Sequence, residues 1–201
     1  MGIAMSALVE RAIDCAGLTE VRAARHAGAL SEAHVVLLRQ ADLLAVGALA
    51  DGIRADEVGV DVRIYTSESR EDDPSLVVLP RADRELTGLE LLREVAIARV
   101  IGPRRARVRV DWTSCGLELA QVALGFGADE LAGRISSKRG LPIAAGELAG
   151  VGKRSRLELA HVMKQRELAG YIRRAGRIPV FVRPDGRAEV VAESTTLSEA
   201  T

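Results

Sequence analysis

Three groups of polar and aromatic residues have types and spacing suited to holding a small ligand. They are Arg63 with Tyr65; Arg109, Asp111, Trp112 and Ser114; and Asp129, Glu130 and Arg134. Each falls at or near the C-terminal end of a predicted strand, where the loops that follow strands build sites in α/β proteins. Thr66 and Thr113 stand beside the first two groups. None of them makes a recognisable catalytic set. Asp129 and Glu130 are adjacent, so in a strand they point to opposite sides and do not form a ready acid–base pair. Their expected roles are a turn cap and a solvated carboxylate. Ser114 has no histidine nearby in sequence to activate it. His26, His34 and His161 fall on predicted helices, with surface or packing roles expected. Cys15 and Cys115 are far apart and lack metal-ligand spacing. Cys15, in an Ala/Leu/Ile-rich helical stretch, is expected to be a small buried apolar side chain. No catalytic residue and no metal ligand is assigned.

The elements that position these residues follow from periodicity. Arg107 to Asp111 alternates, with Val108 and Val110 on one face and Arg107, Arg109 and Asp111 on the other. Val60 to Tyr65 does the same, setting Val60, Val62 and Ile64 against Asp61, Arg63 and Tyr65. Strands buried on both faces usually read as continuous apolar runs, as Ser75 to Pro80 does. The charged faces of the other two are therefore expected to meet a polar cavity, water, a ligand or a partner. Pairing of Arg63 or Arg109 with Asp61 or Asp111 across strands is the alternative. Thr113 and Ser114 offer N-cap oxygens to a helix through Leu117, Ala120, Gln121 and Leu124, which Gly125 and Gly127 end. Ala128 to Ile135 then starts another strand. Strand, crossover and strand make a βαβ unit, hence a parallel sheet.

Residues 6 to 54 read as helices, with Ser6, Thr19 and Ser31 as N-caps and an apolar stripe of Leu43, Val46, Leu49, Ala50 and Ile53. Thr87 and Glu90 form a capping box, opening a helix that ends before Gly102-Pro103. Ser155 and Glu158 form a second, opening a helix through Leu159, Val162, Met163, Leu168 and Ile172. Ile178–Val182 and Arg187–Val191 flank Pro184-Asp185-Gly186 as a hairpin.

Read as runs, these segments resemble one branch of the radical S-adenosylmethionine enzymes, which holds aminofutalosine synthase, dehypoxanthine futalosine cyclase and the deazaflavin (FO) synthase subunits. The resemblance rests on Trp112, Gly116, Ala120-Gln121, Gly127-Ala128-Asp129-Glu130 and Gly133-Arg134. It extends to Leu30-Ser31, Gly47-Ala48-Leu49-Ala50-Asp51 with Arg54, Leu92-Arg93 with Ala96 and Arg99, and Ile172, Ala175-Gly176, Pro179-Val180 and Arg183. Glu130 departs from the family's second Asp, and Arg134 from its Thr. The family's CxxxCxxC triplet, whose thiolates hold a 4Fe–4S cluster that binds S-adenosylmethionine, belongs after the first strand. Here that loop, Thr66 to Pro74, has no cysteine. The chain passes directly to a segment resembling a late barrel strand.

The resemblance implies an α/β fold: a helical lead-in (1–56), a truncated parallel β/α barrel with a C-terminal helix and hairpin (57–192), and a tail (193–201). It implies a cluster-less relative acting as partner subunit, regulator or small-molecule-binding protein in the menaquinone (futalosine) pathway. The alternatives are an enzyme of non-radical mechanism using the remnant cavity, or a relative of the deazaflavin branch. Neither the cluster nor S-adenosylmethionine is expected as a cofactor. An open sheet leaves unpaired edges, so a homodimer or a heteromeric complex is expected.

Composition narrows the partners. With 28 basic and 28 acidic residues the net charge is zero, which argues against nucleic acid. The apolar fraction, 48%, is ample for a core, and at 2% aromatic that core is aliphatic. No run approaches the ~20 apolar residues of a membrane span, and the first residues have no signal-peptide core, so the cytoplasm is expected.

Overall fold

The first helices, α1 (Ala7–Cys15), α2 (Thr19–Ala27) and α3 (Glu32–Gln40), lead into the long α4 (Leu43–Val58). The computed structural model describes residues 7–65, 75–80, 85–133, 135–136, 163–182 and 187–190. Asp42 starts α4 by accepting the Ala45 N–H at 3.0 Å. At the start of α3 the Ser31 N–H donates to His34 Nδ1 at 3.0 Å. Thr19 is not the cap of α2: Leu18 holds that position, and the Thr19 hydroxyl instead donates to Asp14 at 3.2 Å. Ser6 lies outside the described residues.

Strand β1 (Asp61–Tyr65) follows, then β2 (Leu76–Leu79) and α5 (Gly88–Ile101). The expected capping box is present at α5: Thr87 Oγ1 accepts the Glu90 N–H, and Glu90 accepts the Thr87 N–H at 2.8 Å. Next come β3 (Arg107–Asp111), the short α6 (Trp112–Cys115), α7 (Leu117–Ala123), a 3-10 turn (Leu124–Phe126) and β4 (Glu130–Ala132). The described chain ends with β5 (Ile135–Ser136), β6 (Met163–Lys164), α8 (Gln165–Arg174), β7 (Ile178–Val182) and β8 (Ala188–Val190).

The main sheet runs β2-β3-β4-β1-β7-β8. All its pairings are parallel except β7 with β8. The fold is thus α/β with a mostly parallel sheet, and the sheet has two ends: among the described residues β2 pairs only with β3, and β8 only with β7. The hairpin is present, but β7 also lies parallel to β1 along its whole length, so the hairpin is built into the sheet. Its turn, 183–186, lies outside the described residues. The strand expected over Ala128 to Ile135 divides in two. Its first part joins the main sheet, and Ile135–Ser136 pairs with Met163–Lys164 in a second, two-stranded sheet. Met163 therefore stands in a strand, not in the helix its spacing suggested. The capping residues Ser155 and Glu158 lie outside the described residues.

One apolar core joins the N-terminal helices to the sheet. Val62, Ile64, Val108, Val110 and Leu131 meet Leu49, Val95 and Val100 there, with Ile13, Leu18 and Leu38 in the same cluster. Two glycines permit the tightest approaches. A Cβ on Gly47 would come within 2.6 Å of the Phe126 ring, so glycine lets α4 lie against the 3-10 turn. A Cβ on Gly133 would come within 2.1 Å of the Trp112 indole, and β4 ends where it crosses that ring. Cys15 corrects an expectation: it is exposed, because Ile13 supplies the buried position of α1.

Candidate functional site

Strand register places the polar groups side by side. Arg63 on β1 and Arg109 on β3 both sit opposite Glu130 on β4. In a parallel sheet, residues in register share a face, so the three form a row across the middle of the sheet. Alternation puts Tyr65, Arg107 and Asp111 on that same face, opposite the valines that meet the helices.

Glu130 is 2% exposed, so it is not the solvated carboxylate its sequence position suggested. Its Oε2 accepts from Arg109 Nη2 at 3.0 Å and Nε at 3.2 Å, and its Oε1 from the Tyr65 hydroxyl at 3.3 Å. The Arg109 guanidinium, itself 4% exposed, lies 4.2 Å over the centroid of the Tyr65 ring. Cation–π contact and ion pairing thus fix one orientation of Arg109. Its carboxylate partner is Glu130, not the Asp61 or Asp111 considered from sequence. Burial pushes the Glu130 pKa up, and Arg109 opposes that shift only in part. Arg63 is half-buried and has no ion-pair partner among the described residues. Around these side chains lies a pocket of about 110 Å³, whose lining also includes Arg105 and Arg107.

Asp129 immediately precedes β4 and lies beside Val108, whose carbonyl accepts its N–H at 3.1 Å. It is fully buried and accepts from Arg99 Nη2 on α5, from the Val108 N–H at 2.8 Å and from Arg107 Nη1 at 2.7 Å. Arg99 donates further to the Gly127 carbonyl at 2.8 Å and to the Ala106 carbonyl at 2.5 Å. Both carboxylate oxygens of Asp129 are engaged, so it locks α5 to β3 and β4.

Asp111 caps α6, a role the sequence had suggested for Thr113 or Ser114. Its Oδ1 accepts the Thr113 N–H at 2.8 Å and the Thr113 hydroxyl at 2.7 Å, and its Oδ2 accepts the exposed Ser114 hydroxyl at 3.2 Å. Carboxylates bind orphan helix N–H groups at least as well as hydroxyls do. Burial, with Asp111 nearby, pushes the Cys115 thiol up to about 11. Trp112 is 1% exposed, and its Nε1 has no partner among the described residues. The structure therefore brings together Arg63, Tyr65, Arg109 and Glu130. It sets Asp111, Trp112 and Ser114 in a separate capped turn and Asp129 in a buried clamp. Arg134 lies outside the described residues.

Other buried and half-buried arginines carry the scaffold and were not among the candidate site residues. Arg54 pairs with Asp51 at 2.7 Å and also donates to the Gly59 carbonyl. Asp51 also accepts from Arg177 Nη2 at 2.7 Å, tying α4 to the segment before β7. Arg93 donates to the carbonyls of Leu38 and Ala41 at 2.8 and 2.9 Å, closing the end of α3. Arg25 pairs with Glu57 at 3.0 Å, with both side chains under 10% exposed. The spacing Asp51-x-x-Arg54 was visible in the sequence, since i,i+3 charge pairs face each other on a helix.

A stretch of 95 residues is 33% identical to the cyclic dehypoxanthine futalosine synthase of Streptomyces coelicolor; it makes up 47% of this chain and 21% of that protein. The similarity supports a distant relationship over part of the chain, which matches about a fifth of that relative's length. No family model matches. Among the described residues, no helix is long and apolar enough to cross a membrane.

Proposed function

We propose that this chain is a ligand-binding relative of the futalosine-pathway radical enzymes, linked to menaquinone biosynthesis and working without their iron–sulfur chemistry. The observation that carries this reading is the pocket on the polar face of the sheet, where Arg63, Tyr65, Arg109 and Glu130 converge. The partial similarity to an enzyme that makes cyclic dehypoxanthine futalosine supports the pathway link. The absence of cysteine from the sequence Thr66 to Pro74 supports the loss of the cluster, because Cys15 on α1 and Cys115 on α6 cannot replace a CxxxCxxC triplet. In this reading the protein acts as a binding subunit or regulator, as a homodimer or within a heteromeric complex.

Two measurements test it. Anaerobic reconstitution with iron and sulfide should leave the protein colourless, and S-adenosylmethionine should not be reductively cleaved. Stoichiometric iron with a charge-transfer absorbance would overturn the loss of cluster chemistry. Calorimetry with cyclic dehypoxanthine futalosine should show saturable binding that Arg109→Ala weakens. Absence of binding by that compound would remove the pathway link.

A further inference from the structure

We infer that the pocket on the polar sheet face is a site for a small oxyanion: the phosphate or carboxylate head of a ligand, held between Arg63 and the guanidinium groups of Arg105, Arg107 and Arg109. This deepens the ligand-binding reading above and rests on it.

The argument is one of charge and unused donors. Arg63, Arg105, Arg107 and Arg109 line the pocket, and among the described residues of that lining Glu130 is the only carboxylate. Glu130 is already engaged by Arg109 through two N–H groups. Arg107 spends one nitrogen on Asp129, and its Nε stands 3.9 Å from Glu130. Neither Arg63 nor the Arg105 side chain has a hydrogen-bond or ion-pair partner among the described residues. Arg105 is exposed, so its guanidinium is solvated and contributes charge at the rim; only its backbone is fixed, with φ 59° in the left-handed region and its N–H donating to Glu57 Oε2 at 2.8 Å. A half-buried guanidinium beside three others is costly without a counter-charge. A cationic surplus in a recess is complete only with an anion in it. The planar guanidinium fork matches carboxylate and phosphate oxygens, and charge-assisted bonds of this kind are the strong ones.

Size sets the ligand class. At about 110 Å³ the pocket takes a phosphate or carboxylate group and not a whole nucleoside. The rest of a larger ligand would extend out over the sheet face. Arg109, pinned on Tyr65 and Glu130, is the positioning residue of the wall; Arg63, half-buried and unpaired among the described residues, is the cation that meets the anion.

Titration calorimetry on the full chain tests this with inorganic phosphate and, in a parallel arm, acetate, at ionic strength held constant with chloride. One saturable site per chain is expected for at least one of the two anions. Preference for phosphate assigns a phosphate ester head, and preference for acetate a carboxylate head. Arg63→Gln should weaken binding about tenfold or more. Its thermal midpoint without anion should be equal to or above that of the parent, since it removes an unpaired charge. Arg22→Gln, which breaks the remote pair with Glu10, is the control and should bind as the parent does. Absence of binding by both anions, or equal losses in Arg63→Gln and Arg22→Gln, would overturn the inference. Its failure is separable from that of the pathway reading. Cyclic dehypoxanthine futalosine binding without phosphate or acetate binding removes only the oxyanion site, and the reverse removes only the pathway link.

Discussion

Asp129 is buried with both carboxylate oxygens accepting, so its charge is held by Arg99, Arg107 and a backbone N–H. Asp129→Asn keeps the shape and removes the charge, leaving Arg99 buried without a counter-ion. Breaking such a pair from one side costs about 3–5 kcal/mol, and urea unfolding should read that loss. Glu130 behaves differently, because burial raises its pKa above the ordinary 4.5. The folded state then holds the proton more tightly than the unfolded state. The stabilising contribution is full below the unfolded pKa and is lost as pH rises through the folded one. As pH rises above the ordinary carboxylate range, therefore, the stability of Glu130→Gln relative to the parent should improve. Unfolding midpoints that diverge in the opposite direction would refute the shift. The cysteines give a third test. Cys15 is exposed, whereas the thiol of Cys115 is pushed up to about 11. Iodoacetamide at mildly alkaline pH should label Cys15 first, with Cys115 gaining rate only as pH nears its pKa. Peptide mass mapping over time would show the order.

At the scale of elements, what joins the pieces is a set of close approaches and buried arginine clamps. Gly133 lies against the indole of Trp112, where a methyl group would sit 2.1 Å from a ring carbon. Gly133→Ala must push β4 and α6 apart, at a cost of about 1–3 kcal/mol for overpacking. Because Trp112 is the sole tryptophan, its fluorescence should shift to the red as the ring meets water. An unshifted spectrum would mean the ring has room to rotate away. The elements themselves were legible from local pattern: alternation gave β1 and β3, the continuous apolar run gave β2, and the Thr87–Glu90 box gave the start of α5. The site was half legible. Alternation put Arg63 and Arg109 on one face, yet their partner Glu130 comes from β4, and only the register reveals that. Asp111 both ends β3 and caps α6; strand periodicity shows only the first role, because strand end and helix cap overlap at that position. The motifs carrying the family resemblance turn out to be largely scaffold: Asp51 with Arg54, Arg93, and Arg99 with Asp129 hold backbone and helix ends. A resemblance borne by such residues speaks for a shared architecture more than for a shared reaction.

For the whole molecule the open question is how the sheet ends are covered. Parallel strands are normally buried on both faces and flanked on both edges. Here β2 and β8 have one neighbour each among the described residues, and β8 is exposed along its length. Val78 on β2 is 38% exposed, Val190 on β8 61%, and Ile178 at the start of β7 43%. Both edges are short, which lowers but does not abolish their tendency to pair. The face with Val78 and Val190 also carries the arginine pocket, so apolar positions flank a charged centre. Such a surface is suited to a self-complementary contact about a two-fold axis, with the apolar flanks meeting and the pockets left open between them. The expected state is a homodimer. Light scattering coupled to size exclusion should give twice the 21.4 kDa of the chain, holding over a tenfold dilution. Charging an edge with Val190→Lys should shift the population to monomer without lowering the stability of that monomer, because the side chain is already exposed. If the parent runs as a clean monomer at high concentration, the edges are covered within one chain and the dimer is excluded. A dimer that Val190→Lys leaves intact places the contact away from β8, with Val78→Lys on β2 as the next variant to separate the two edges.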